Sequence, residues 1–301
     1  MSLVINHNMM AANTARNLNA HYSQLSKSVQ RLSTGLRVNS AADDAAGLAI
    51  RELQRADIAT LQQGARNAND AISMIQTADG ALGVIDEKLT RMKELAEQAA
   101  TGTYDSTQRL MIESEYQAMA SEITRIANAT DFNGIHLLNG SLSSDTHDGS
   151  GMSASGKMKI HFGTGNDSAE DYYYIKIGTS TASALGVGNQ ALDESGNLRA
   201  GGTVSTQEAA QKALDAITNA IISKDKIRAH LGAMQNRLEN TITNLNTQAE
   251  NLQAAESRIS DVDVATEMTQ FVRNQILSQS AVAMLSQANS LPQMAMKLIG
   301  G

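Results

Sequence analysis

The sequence predicts a mainly α-helical protein, built as a long antiparallel helical coiled-coil bundle with a small β-hairpin region. Three observations predict this class. The chain of 301 residues holds a single proline, so helices can run far without interruption. Apolar residues near both ends recur at alternating spacings of four and three, which is the pattern of a coiled-coil stripe. Twelve of the 22 glycines lie between Gly140 and Gly202, so we expect loops and strands in the centre and helices on both sides.

The first predicted region, residues 1–44, carries an N-terminal helix. Its apolar residues step by four and three from Ala11 to Leu36, which predicts one narrow stripe that packs against another helix. The central members of this stripe are Leu18, Tyr22, Leu25, Val29 and Leu32. Gly35 and the cap and turn residues at 39–47 predict a joint after the helix.

Residues 45–140 predict two further helices and the start of the β region. Apolar residues keep a helical period from about Leu53 to Ala99, so we expect one long helix there. A shorter helix is expected over residues 107–128, and it should end before the turn residues that begin at Asp131.

The central region, residues 141–205, predicts short strands and loops. The runs 157–162 and 172–177 alternate apolar and polar residues, and each is followed by a glycine. Alternation of this kind is typical of strands, so we expect one short antiparallel hairpin. The triplet Tyr172, Tyr173 and Tyr174 is interpreted as strand residues that cover a helix surface, and a base-stacking platform is the less favoured alternative.

The last two regions, 206–260 and 261–301, predict one long helix each. The first of these should pack against the long helix of residues 45–140. The second carries a stripe with spacings of four and three that we expect to stop at Pro292 and to pair with the N-terminal helix. Its members are Leu277, Ala281, Met284, Ala288 and Leu291.

Composition argues against several classes of function. The chain has no cysteine, which excludes disulfides and thiolate metal sites. Its net charge is −7, without a dense basic stripe, so we expect no nucleic-acid partner. No histidine pair has the helical spacing of a metal site, and dinucleotide, phosphate-loop and hydrolase motifs are missing, so we expect no metal, no cofactor and no enzyme activity. No Sec-type signal or membrane span is predicted either.

The adjacent acids Asp43 and Asp44 leave two interpretations open. Paired carboxylates can act as a general acid and base. Both residues, however, lie in a turn pattern that precedes a helix, where aspartate commonly caps the first turn. Capping is therefore the favoured interpretation.

Four long motifs resemble bacterial flagellin. They are RLSTGLRVNSAADDAAGLAIREL at 31–53, FNGIHLLNG at 132–140, LGAMQNRLENTITNL at 231–245 and MLSQANSLPQMAMKLIGG at 284–301. The resemblance covers roughly residues 1–140 and 206–301 and leaves the centre unassigned.

The resemblance implies a fold and a function. The two terminal helices would pair as the inner coiled coil, called D0, and the longer helices with the hairpin would form the elongated D1 domain. The chain would then polymerise with its own copies into the extracellular flagellar filament that serves motility. It would leave the cell unfolded by flagellar type III export, with a chaperone on its C-terminal helix, and would meet hook-associated and cap proteins. The two terminal stripes, from Leu18 to Leu32 and from Leu277 to Leu291, would form the assembly seam.

The resemblance also implies a receptor patch on D1. The segment LTRMKELAEQAATG at 89–102 is similar to the flagellin surface engaged by Toll-like receptor 5. It places Arg91 and Leu95 at two contact positions and Glu115 at a third. The alternative is that Arg91 and Glu115 are ordinary solvated charges and that Leu95 belongs to a helix seam.

Three other functions stay open at this point. A hook-filament junction protein has related terminal regions, although the C-terminal motif favours flagellin. An enzyme displayed on a filament would show activity in purified filaments. A coiled-coil binding module would lack concentration-dependent polymerisation.

Overall fold

The computed structural model describes residues 8–150, 155–168, 170–189 and 200–299. Along this part of the chain, the helices are α1 Met9–Thr34, α2 Ala45–Ala100, α3 Ser106–Ala129, α4 Ala182–Leu185, α5 Gln207–Ser260 and α6 Val264–Ile299. The strands are β1 Asp131–Phe132, β2 Ile135–His136, β3 His147–Asp148, β4 Ser155–Gly156, β5 Met158–His161 and β6 Tyr172–Ile175. The predicted mainly α-helical class with a small β region is confirmed. Residues 1–7, 151–154, 169, 190–199 and 300–301, which fall in the first, third and last predicted regions, lie outside the described residues.

The described chain divides into two compact units. One contains α1, α6, the first residues of α2 up to Ile58 and the last residues of α5 from Glu250 onward. The other runs from Ala59 to Ala249 and holds α3, α4 and all six strands.

Cap residues fix both ends of α1. The side chain of Asn8 accepts a hydrogen bond from the backbone N–H of Ala11 and so caps the first turn. Gly35 ends the helix in the left-handed conformation, at φ 73°, and its N–H donates to the carbonyl of Arg31. The predicted joint after this helix is confirmed.

The long helix α2 begins at Ala45, well before the predicted start near Leu53. The carboxylate of Asp44 accepts a bond from the N–H of Gly47 at 2.9 Å, so Asp44 caps this helix as predicted. The start was placed too late because the first turns of α2 carry no regular apolar stripe. Asp43 has a different role, since it accepts bonds from the N–H and the hydroxyl of Ser40 and holds the preceding turn.

The unit that contains α1 and α6 has two joints, residues 35–44 between α1 and α2 and residues 261–263 between α5 and α6. The two joints lie side by side. The N–H of Arg37 donates to the carbonyl of Ser260 at 2.6 Å, and the N–H of Val262 donates to the carbonyl of Gly35 at 3.0 Å. On the second joint, Asp263 accepts bonds from Thr266, which lowers the pKa of this carboxyl. Both helix breaks are therefore held by backbone pairing as well as by caps.

The second unit packs its helices around an apolar core. Residues from α2, α3 and α5, such as Leu89, Ile123 and Leu238, are fully buried in one cluster. α2 and α5 run antiparallel, because Arg228 pairs with Asp79 while Lys224, earlier in α5, pairs with Asp86, later in α2. The predicted pairing of the two long helices is thus confirmed.

Leu95 is part of this core. Its side chain is 1% exposed, beside Met92 and Ala96 in the same cluster. α2 buries a broad stripe here because α3 and α5 both contribute to the cluster that covers it. The prediction that Leu95 belongs to a surface patch is therefore wrong, and the seam interpretation is the correct one.

The predicted hairpin is formed by β5 and β6, which pair antiparallel with Ile160 opposite Tyr173. Tyr173 packs against Phe162 and under the guanidinium of Arg237 on α5. Tyr172 does not share this role, because its ring lies under the ammonium group of Lys159 at 3.6 Å. The interpretation that these tyrosines cover a helix therefore holds for the middle ring.

The structure corrects the prediction that the C-terminal helix stops at Pro292. Pro292 lies inside α6, which continues to Ile299. A proline removes one helical N–H and crowds the preceding turn, which usually ends or kinks a helix. The side chain that compensates for the missing donor is described below.

Replacing Leu95 by alanine tests its place in the core. We expect the free energy of unfolding to fall by about 2–5 kcal/mol, because the change leaves a cavity among buried side chains. Urea unfolding followed by circular dichroism measures this loss. The control is Glu97→Ala on the exposed face of the same helix, which should change stability by less than about 0.5 kcal/mol. Equal stabilities for the two variants would contradict the assignment.

Candidate functional site

The two terminal helices, α1 and α6, pack antiparallel along one another. Near one end, the side-chain amide of Asn8 donates to the carbonyl of Ala288 at 2.8 Å. Near the other end, Arg31 and Glu267 form an ion pair at 3.5 Å. The low-numbered end of α1 therefore lies beside the high-numbered end of α6, as the sequence predicts.

The most deeply buried positions of this helix pair are largely polar. The buried polar residues are Ser28, Glu267, Asn274 and Ser278. Within the described parts of α1 and α6, Ala288 is the one apolar side chain that is fully buried. Ser278 Oγ is buried without a hydrogen-bond partner, so its burial carries a desolvation cost.

The apolar side chains of the pair point largely outward. Val29 on α1 is 49% exposed and Met284 on α6 is 57% exposed. Tyr22 and Leu277 are exposed as well. Further exposed apolar residues of α6 are Met268, Val272, Ile276 and Val282. Exposed apolar surface of this extent typically marks a surface that another protein covers.

The residues of the predicted assembly seam thus differ in exposure, because some face the partner helix and others face solvent. Ala288 is buried and Leu18, Leu25, Leu32, Ala281 and Leu291 are half-buried, whereas Tyr22, Val29, Leu277 and Met284 are exposed. We call the exposed set, Tyr22, Val29, Leu277 and Met284, the outer stripe.

Helix geometry explains the split on α1. Successive residues are rotated by about 100°, so Tyr22 lies about 40° to one side of Leu18 and His21 lies about 60° to the other. The structure places α6 on the His21 side, where Ser28 is buried one heptad later. The leucines are therefore half-buried beside the polar residues of the contact, and Tyr22 and Val29 lie beyond it.

Sequence reasoning missed the polar residues of this interface. His21 and Ser28 are spaced by seven, as are Glu267 and Asn274. A seven-residue repeat of polar side chains beside the apolar stripe is the signal that could have identified them, since coiled coils use buried polar residues to set their pairing.

Two of the predicted receptor-patch residues meet at the surface of the second unit. Arg91 donates from Nε and Nη2 to Glu115 Oε1 at 2.9 and 2.7 Å, and from Nη1 to Glu94 at 3.0 Å. These contacts, with Glu115 first, raise the pKa of Arg91. Both partners remain about half exposed, and Leu95 lies in the core beneath them.

Other kinds of site find little support in the described residues. No group of histidine, aspartate and glutamate side chains within residues 8–150, 155–168, 170–189 and 200–299 could hold a metal ion. None of the helices in that part of the chain is long and apolar enough to cross a membrane. Tyr116 has a raised pKa because it is buried, and its hydroxyl donates to the carbonyl of Gly201, which is a structural role.

Comparison with known proteins agrees with this architecture. The family model for the bacterial flagellin N-terminal helical region matches residues 5–143, and the model for the C-terminal helical region matches residues 214–299. Flagellin FlaB2 of Treponema pallidum is 40% identical over 297 residues, covering 99% of this chain and 100% of that protein. The flagellin of Bacillus subtilis is 41% identical over 308 residues, covering 98% and 99% of the two chains.

A solved structure adds information on the fold. A putative flagellar hook-associated protein from Vibrio parahaemolyticus aligns with a TM-score of 0.55 over 73% of this chain and 100% of that one, at 14% identity. At this identity the likeness concerns the fold alone. The two family models and the full-length identity to flagellins carry the conclusion that this chain belongs to the bacterial flagellin family.

Proposed function

We propose that this chain is a structural subunit that polymerises into the helical flagellar filament, and that neighbouring copies cover the outer stripe. The observation that carries this proposal is the arrangement of α1 and α6, in which the most deeply buried side chains are mostly polar and many large apolar side chains are exposed. A helix pair that stayed monomeric would be expected to do the opposite.

The free energy available from covering the outer stripe is large enough to drive assembly. Full burial of a valine, leucine or methionine side chain contributes roughly 1.5–3 kcal/mol. Val29, Leu277 and Met284 are all exposed in the single chain, so each can contribute when a neighbour covers it. A helical lattice repeats these contacts in every subunit, which multiplies their effect.

The comparisons favour a filament subunit over a hook-filament junction protein. The chain aligns along its whole length with flagellins at about 40% identity, whereas the hook-associated structure shares 14% identity. The relatives also include proteins described as flagellar filament core proteins. A role in motility outside the cell follows from this proposal.

The same surface suggests how the chain is handled before assembly. Exposed apolar residues on α6, such as Ile276 and Val282, would promote premature association in the cell. A flagellar export chaperone bound to this helix would cover them until type III export. Hook-associated and cap proteins would then meet the subunits at the two ends of the polymer.

Changing one residue of the outer stripe to a charge tests the assembly role. Val29→Glu and Met284→Glu should each raise the critical concentration for polymerisation at least about tenfold, because the carboxylate would be desolvated beneath a neighbouring copy. Light scattering after addition of filament seeds measures this concentration.

Matched controls lie beside each of these positions. Gln30→Glu and Gln287→Glu introduce the same charge at exposed polar residues, and they should polymerise close to the parent level. Normal filaments from Val29→Glu and Met284→Glu would reject the proposed role of the outer stripe.

The marginal interior of the pair leads to a second prediction, that folding of the terminal regions is coupled to assembly. Ordering each residue costs roughly 1–2 kcal/mol of backbone entropy, and the buried serines and asparagine return little of it. Residues 9–34 and 264–299 should exchange their amide hydrogens quickly in dilute monomer and slowly in filaments. The helices between Ala59 and Ala249 should exchange slowly in both. Slow exchange of both terminal helices in dilute monomer would contradict the prediction.

We also propose that Arg91 and Glu115 form part of a surface recognised by Toll-like receptor 5. Their ion pair is exposed in the single chain, and exposed pairs of this kind usually contribute little to stability. A partner that buried the guanidinium could gain substantially, because arginine is common among interface residues that dominate binding. In this proposal Leu95 supports the helix from below and makes no contact with the receptor.

Arg91→Ala tests the receptor proposal. Signalling by soluble monomer should fall roughly tenfold or more, with unchanged helicity, because a central interface arginine is lost. Lys93→Ala is the control, since Lys93 is also an exposed cation on α2. A dose-response curve in cells carrying the receptor gives the comparison, and equal responses from Arg91→Ala and the parent would reject the proposal.

A further inference from the structure

Pro292 creates an unusual requirement inside α6. In a regular helix, the N–H of residue 292 would donate to the carbonyl of Ala288, and a proline has no N–H to give. Ala288 is buried against α1, so water does not readily replace the missing donor. An unpaired buried carbonyl is costly, and some other group must satisfy it.

Asn8 supplies that group from the opposite helix. Its side-chain Nδ2 donates to the carbonyl of Ala288 at 2.8 Å, while its Oδ1 accepts from the N–H of Ala11 at 3.0 Å. One amide therefore caps α1 and completes α6. An aspartate at this position could still accept the bond from Ala11, but it would lose the bond to Ala288, because a carboxylate has no hydrogen to donate.

The apolar stripe of α1 cannot define how far the two helices slide along each other. Leu18, Leu25 and Leu32 repeat every seven residues, so a shift of one heptad would again face α6 with leucines. The Asn8 contact differs in kind, because the chain contains a single proline and hence a single helix carbonyl freed in this way. A shifted pair would leave the carbonyl of Ala288 unpaired and Asn8 opposite a carbonyl that is already bonded.

We propose that Asn8 and Pro292 form a register lock, in which the freed carbonyl of α6 accepts the amide of α1 and fixes the axial position of the two terminal helices. The register determines which residues of the outer stripe lie at the same level, so it determines the surface that each copy presents to its neighbours. The lock itself is a contact within one chain. It rests on the proposed function only because its effect is measured through polymerisation.

A double-mutant cycle tests the lock. Asn8→Asp keeps the cap of α1 and removes the donor to Ala288, so it should raise the critical concentration for seeded polymerisation about tenfold. Pro292→Ala restores the helical N–H, so Ala288 no longer needs Asn8. In that background Asn8→Asp should change the critical concentration less than about twofold. Asn19→Asp, at an exposed position of α1, controls for the added charge and should have little effect in either background.

The double-mutant cycle still tests the register lock if the Asn8→Asp variant does not polymerise at all. Recovery of polymerisation in the double variant would support the lock, and no recovery would overturn it. An equal effect of Asn8→Asp in both backgrounds would overturn it too. The proposed filament function is tested separately, because the parent chain must polymerise before the cycle begins.

A distance measurement reports the register directly. The chain has no cysteine, so spin labels can be attached at Ser26→Cys on α1 and Gln287→Cys on α6, both exposed positions. In filaments where labelled chains are diluted with unlabelled ones, the parent should give one distance. Asn8→Asp should add a second population shifted by up to about 10 Å, the rise of one heptad, and Pro292→Ala should remove it. A single unchanged distance in Asn8→Asp would show that register does not depend on this contact.

Discussion

The helix pair α1 and α6 differs from an ordinary coiled coil, because its most deeply buried side chains are mostly polar and many of its large apolar side chains are exposed. Ser28, Asn274 and Ser278 face the partner helix, and Val29 and Met284 face solvent. Burial of the polar set contributes little free energy, while exposure of the apolar set leaves favourable burial uncompleted. The pair is therefore expected to be marginal by itself, and in the proposed filament contacts with other copies would supply the missing burial. A subunit built this way has a physical reason to fold its ends and to polymerise in one process.

The unit from Ala59 to Ala249 differs from this helix pair, because it buries mostly apolar side chains. Its helices bury a continuous apolar cluster, and Lys224, which is fully buried, is paired with Asp86 and Asp225. A core of this kind needs no second chain. The contrast separates two tasks within one molecule, since this unit can be stable before assembly while the terminal helices remain dependent on it. It also explains why Leu95, which lies in a segment that resembles a receptor contact surface, is in fact a core residue.

Periodicity in the sequence predicted the helices and the hairpin because each element obeys a local rule. The joint at Gly35 and the cap at Asp44 followed from equally local rules. What could not be predicted depends on a second element. A stripe with spacings of four and three shows that α1 packs against something, and it does not show on which side of Leu18 the partner lies. The prediction that the helix ends at Pro292 fails for the same reason, since the side chain that replaces the missing donor comes from Asn8, some 280 residues away.

The side on which α6 packs and the continuation of α6 past Pro292 have a common physical cause. Apolar contacts provide affinity, whereas polar contacts fix the geometry. Apolar side chains are interchangeable and repeat every heptad, so they provide attraction without a unique alignment. Hydrogen bonds are directional and need a specific partner, and their absence in a buried place is costly. The polar contacts at the two ends of the pair, Asn8 with Ala288 and Arg31 with Glu267, therefore restrict where α1 lies along α6. In the proposed filament, alignment set inside each chain would let the outer stripe be apolar, because every copy would then present it to the next in the same arrangement.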